Sequence, residues 1–135
     1  MDQSSTLSAD LIGRESDEVV FDVERGAIRK FADAVGDTTP TCVAGEIAPP
    51  TFPTTFRMTV PGLSFNLSRI LHGSQEYQYE RPLRAGDRLR CRTRILDIYQ
   101  REGRLGAMTF LILEIEGKDA SNEPVFRGKT TAILR

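Results

Sequence analysis

Histidine and cysteine are scarce in this chain, which has one imidazole, His72, and two thiols, Cys42 and Cys91, in 135 residues. The thiols lie far apart and match no metal-ligand spacing, and one histidine adds too little for a transition-metal centre, so no metal is expected. Both cysteines read as free thiols. No apolar run approaches the roughly 20 residues of a spanning helix. The stretch from Met1 to Leu11 is polar, without the basic start and apolar run of a secretory signal. A cytoplasmic protein is the expectation, and the Asn66-Leu67-Ser68 sequon then carries no meaning, because glycosylation needs the secretory route. An excess of charge is missing too. Eighteen Lys and Arg against 19 Asp and Glu leave a formal net charge of -1, so neither nucleic acid nor a membrane surface is an expected partner.

What is present suits one domain with its own core, since a chain of this length buries roughly two-thirds of its unfolded surface. Residues 1–16 read as a loose leader and 17–135 as the domain. Val19, Phe21 and Val23 alternate with Val20 and Asp22, as in a short strand or an extended lead-in. Ile28, Phe31, Ala32 and Val35 then recur at helical spacing, and Gly36 fits the position after the last turn. Five prolines between Asp37 and Pro61 exclude a regular element there. Leu63, Leu67, Ile70 and Leu71 return to helical spacing, which predicts a helix over Gly62 to Leu71.

From Ser74 the period becomes two. Tyr77 and Tyr79 alternate with Gln78 and Glu80, and Arg84-Ala85-Gly86-Asp87 reads as a turn. Leu89, Cys91, Thr93 and Ile95 face one way and Arg88, Arg90, Arg92 and Arg94 the other. Ala107 to Glu116 is apolar on both faces, which predicts a central strand. Gly103 to Gly106 and Asp119 to Glu123 are reversals, and Val125 to Leu134 closes the domain. Short connections between long strands demand antiparallel pairing. The class is α+β, with the Gly62 to Leu71 helix as the candidate cover for a curved antiparallel sheet, which is the hot-dog arrangement.

Four blocks carry a resemblance. They are Phe31 to Pro40 (FADAVGDTTP), Ala48 to Pro53 (APPTFP), Leu71 to Tyr77 (LHGSQEY) and Arg81 to Asp87 (RPLRAGD). In this order they resemble the MaoC-like N-terminal dehydratase domain of the hot-dog superfamily. The resemblance implies dimeric pairing and an acyl-CoA or acyl-carrier-protein thioester held in a tunnel between protomers. It implies hydration of a trans-2-enoyl thioester to the (R)-3-hydroxy form, or the reverse dehydration, with no cofactor. In the family motif an Asp is followed after two residues by Pro and, two residues beyond that Pro, by His. The His takes a proton from water and the Asp holds that water, while a backbone N–H stabilises the enolate oxygen.

Asp37 and Pro40 match that motif, whereas Thr39 replaces the usual asparagine and Cys42 stands at the histidine position. A thiol with an ordinary pKa of about 8.5 is a poor base at neutral pH. The candidate catalytic residues are therefore Asp37 and His72, the latter matching a histidine common in this branch of the family. Asp37 also reads as a turn former and His72 as a structural or interface residue. Cys42, Ala48, Pro49, Pro50, Thr51, Phe52 and Gly73 are the candidate substrate-binding residues. The arginine row reads as a solvated face or as a contact for a phosphate or an acidic carrier.

Related heterodimeric dehydratases pair a protomer that has Asp and His with one that lacks them, so this resemblance implies a companion subunit of a hydratase or dehydratase. The alternatives are a self-sufficient homodimer using Asp37 with His72, a hot-dog thioester hydrolase, and a non-catalytic acyl-binding module. No Asp or Glu lies between Thr51 and Gly73, which disfavours the hydrolase.

Overall fold

Period two governs the C-terminal half. In the computed structural model, which describes residues 7–64, 66–104 and 106–135, three long strands follow one another. These are β3 (Arg88–Gly103), β4 (Gly106–Lys118) and β5 (Pro124–Leu134). With β1 (Val19–Asp22) and β2 (Ile70–Tyr79) they form one antiparallel sheet in the order β1-β3-β4-β5-β2. β4 is central, as its two apolar faces require. Register follows the hydrophobic alternation, because a slip of one residue would turn each core side chain outward. Leu89, Cys91 and Ile95 are fully buried on the inner face. Register shifts at His72/Ser74, Ile95/Asp97 and Gly117/Lys118 bend the sheet.

The turns close as their residues dictate. Asp87 accepts from the Arg84 N–H at 2.8 Å and pairs with Arg81 at 2.8 Å. Asp119 accepts from the N–H groups of Ser121 and Glu123, an Asx-type arrangement. The reversal between β3 and β4 includes Leu105, which lies outside the described residues.

Helix α1 (Arg25–Val35) ends where the sequence predicts. Gly36 adopts φ 73°, the Gly36 N–H donates to the Asp33 carbonyl and the Asp37 N–H to the Ala32 carbonyl. That paired bonding is a Schellman ending. Ile28 and Ala32 turn inward, and Phe31 meets Phe52 edge-on at 5.5 Å.

Two expectations are corrected. Among the described residues of Gly62 to Leu71 no α-helix forms, and a 3-10 turn (Leu67–Arg69) runs straight into β2. The Asn66 side chain accepts from the Ser68 N–H and from its hydroxyl, diverting backbone bonding into a local turn. Ile70 and Leu71 pair with Leu134 and Ile133 in the sheet, while Leu67 is left 75% exposed. The inner face is instead crossed by a 3-10 turn (Phe52–Thr55) and the chain that follows it. Phe56 stacks on Phe21 at 4.5 Å, and Val60 packs with Ile95, Ile98 and Leu111. The sheet remains that of a hot-dog fold, with an irregular segment where the covering helix was expected.

The leader, too, is less loose than expected. From Ala9 it docks along β3. Leu11 is buried, the Gly13 and Ser16 N–H groups donate to the Ile95 and Thr93 carbonyls, and the Ser16 hydroxyl accepts from the Thr93 N–H. These bonds satisfy part of the edge that β1 is too short to cover. Residues 1–6 lie outside the described residues.

Candidate functional site

The motif residues Asp37 and Cys42 are brought together by two helix ends. The α1 terminus sets Asp37, and Pro40 opens the four-residue helix α2 (Pro40–Val43), with Pro at the position where a missing N–H costs nothing. Asp37 accepts from the Thr39 N–H at 2.9 Å. The Thr39 hydroxyl, then the Thr39 N–H, and more weakly the Cys42 thiol, hold its carboxyl below the ordinary range. The reciprocal effect falls on Cys42, a 5% exposed side chain. Burial first, and then the charge of Asp37, push its thiol upward. A carboxylate held low by its own turn and a thiol that resists ionisation form no proton-abstracting pair.

A cavity of about 410 Å³ lies elsewhere, on the inner face of the sheet. Its floor is apolar, with Leu111, Leu113 and Ile115 from β4 and Ala132 from β5, and Phe56 and Met58 form its roof. Thr54, Thr93, Thr130, Gln75 and His72 supply polar groups, and among the described residues Arg57 is the one guanidinium and no Asp or Glu lines the cavity. Tyr77 lines it as well, and burial pushes its phenol up to about 12. A volume of this order suits a small-molecule site.

His72 and Gln75 both face this cavity although they lie three positions apart on the strand. Gly73 is the reason. It is the extra residue of the bulge, since His72 pairs with Ala132 and Ser74 with Thr131, so the alternation resets by one. A Cβ at Gly73 would lie 3.1 Å from the Ile133 Cδ1 and 3.2 Å from the Thr131 carbonyl oxygen. Gln75 is oriented by two bonds, its Nε2 donating to the Lys129 carbonyl at 3.2 Å and its Oε1 accepting from the Thr130 hydroxyl at 2.7 Å. The His72 Nε2, 3.1 Å from that same Oε1, must be the donor. In the neutral ring Nδ1 is then left as the lone-pair acceptor.

The remaining sequence candidates sit apart from the cavity. Ala48, Pro49 and Phe52 are buried, while Pro50 and Thr51 are exposed. The Ala48 N–H donates to the Leu83 carbonyl and the Tyr79 phenol donates to the Pro50 carbonyl. The lining begins at the next residue, Pro53. Neither Asp37 nor Cys42 reaches the cavity that His72 lines. Within one chain the two catalytic candidates do not share a site. Sequence reasoning missed Arg57, Met58, Thr93 and Thr130; Thr93 and Thr130 lie on strands, where period two was their only signal, while Arg57 and Met58 lie on the irregular segment and carried none.

A curved five-stranded antiparallel sheet and a degenerate Asp-Pro motif define a MaoC-like hot-dog dehydratase domain. The family described as "FAS1-like, dehydratase domain region" matches residues 10–127, and the chain belongs to it. A UPF0336 protein of Thermobifida fusca is 34% identical over 147 aligned positions, covering 96% of this chain and 94% of its own. Two solved structures share the fold. A MaoC-like dehydratase superposes with TM-score 0.76 at 21% identity, covering 92% of this chain and 42% of its own. The C-terminally truncated HadBC (3R-hydroxyacyl-ACP dehydratase) complex of Mycobacterium tuberculosis superposes with TM-score 0.71 at 24% identity, covering 94% and 99%. Among the described residues no helix is long and apolar enough to cross a membrane.

Proposed function

We propose that this chain is the acyl-binding companion subunit of an (R)-specific enoyl-thioester hydratase or 3-hydroxyacyl-thioester dehydratase, acting in a dimer with a MaoC-like subunit that has the intact Asp and His. The observation that carries this reading is the buried Cys42 thiol at the motif's histidine position, raised in pKa by burial and by the charge of Asp37. Hydration needs a base to take a proton from water as its oxygen adds to the β-carbon, and a proton delivered to the α-carbon. A buried thiol whose pKa is raised holds its own proton at neutral pH and cannot begin that step. The inner cavity supports the second half of the reading, because its apolar floor fits an acyl chain. Each methylene buried there is worth about 0.8 kcal/mol. The two-subunit organisation of the HadBC complex is a precedent for such a division of labour.

The test is reconstitution. Purified alone, the chain should leave crotonyl-CoA unchanged, and activity should appear when a subunit with the intact motif is added. Rapid hydration by the isolated chain would overturn the proposal. In that event the reading to adopt is a homodimer using His72 as base, whose Nδ1 lone pair borders the cavity, and His72→Ala would abolish the rate.

A further inference from the structure

Five arginines elsewhere on the sheet are matched by acids. On its outer face, Arg88, Arg90, Arg92, Arg94 and Arg127 each approach a carboxylate within 3.5 to 4.0 Å. The inner cavity breaks that pattern. Its one guanidinium, Arg57, is exposed on the segment that roofs the cavity and has no ion-pair or hydrogen-bond partner among the described residues. Among the described residues nothing acidic lines the space, and the Leu111, Leu113 and Ile115 floor is apolar. An apolar chamber with a single unmatched cation selects an amphiphile bearing one negative head.

We infer that the cavity binds unesterified straight-chain carboxylates, with the tail on the β4 floor and the carboxylate on Arg57. The proposal rests on the reading that an acyl chain enters this cavity, and it adds that the free acid competes there with the thioester. The guanidinium fork matches a carboxylate through two parallel hydrogen bonds, whereas a thioester offers a neutral carbonyl. The absence of any carboxylate from the lining leaves the ligand's head without a competitor. Binding of the free acid makes the subunit responsive to the product of thioester hydrolysis.

Calorimetric titration of the full chain with decanoate, decanol and decanoyl-CoA tests this. Decanoate should bind roughly three- to tenfold tighter than decanol, an advantage that shrinks with salt. Arg57→Gln should remove that advantage and leave decanol unchanged, while Arg57→Lys should retain part of it. Because Arg57 is exposed, these variants should fold as the parent does. Equal affinities for decanoate and decanol, or an Arg57→Gln chain that still prefers decanoate, would overturn the inference. If decanol and decanoyl-CoA bind while decanoate gains nothing, only the head-group inference fails and the acyl-binding reading stands. Arg57-dependent decanoate binding without activity on reconstitution would sustain the head-group inference and overturn the companion-subunit reading. Failure of all three ligands to bind would remove both.

Discussion

The two faces of the sheet handle charge in opposite ways. On the outer face, a groove of about 340 Å³ is lined by Arg90, Arg92, Arg94, Lys118 and Arg127 together with Glu15, Glu18, Glu114 and Glu116. Cross-strand register makes part of the match, setting Arg94 opposite Glu114, while Arg92 pairs with Glu15 at 3.5 Å. Glu114, only 18% exposed, is shared by Arg94 and Arg127. A groove that neutralises itself has little field left for a phosphate or an acidic carrier, so the arginine row reads as a solvated face. The inner face holds a larger space with one guanidinium and no acid. The proposed ligand site lies where charge was left unmatched, rather than where charge is abundant.

Breaking the inner face should have the largest effect. Phe126 lies against Gly117, and a Cβ there would come within 2.2 Å of the ring Cε1. Since Phe126 is 2% exposed it has no room to retreat. Gly117→Ala should cost more than about 3 kcal/mol in urea denaturation. An ordinary midpoint would mean that the sheet yields more easily than its packing indicates.

A middle-sized effect should come from pH. Burial, aided by Glu18, pushes the Cys91 thiol up to about 12, while in the unfolded chain it ionises near 8.5. The folded state then keeps a proton that the unfolded state loses, so stability is intact below about 8.5 and falls as pH rises toward 12. The loss from this group reaches about 2 kcal/mol at pH 10, and Cys91→Val should flatten that alkaline decline. A slope unchanged by the substitution would assign the decline to other groups.

The smallest effect belongs to the outer face. Glu114→Gln removes the acid shared by two arginines and should cost about 1 kcal/mol or less, shrinking further in high salt. A larger, salt-insensitive loss would show the groove to be more structural than its exposure indicates.

Much of the fold is legible from local patterning. The alternation from Leu89 to Ile95 orients β3, the two apolar faces of β4 place it centrally, and Gly36 ends α1. The segment from Gly62 to Leu71 is the instructive failure. Leu63, Leu67, Ile70 and Leu71 satisfy a helical stripe and a half-buried strand edge alike. The β5 partner, with the Asn66 turn, decides in favour of the strand. At the candidate site, motif spacing made the Asp37 and Cys42 pairing readable. The cavity was not readable, because Arg57, Gln75, Thr93, Leu113 and Thr130 come from distant stretches of chain.

By itself, the sequence determined that a thiol occupies the motif's base position, that β3 to β5 form an antiparallel sheet, and that acids and bases nearly balance. Those properties depend on residue identity and short-range periodicity. Only the tertiary structure decided that an irregular segment roofs the inner face, that the Gly73 bulge turns His72 and Gln75 to the same side, and that Arg57 remains unmatched above an acid-free chamber. Each of these depends on which strands become neighbours, and strand pairing joins residues that local sequence cannot connect.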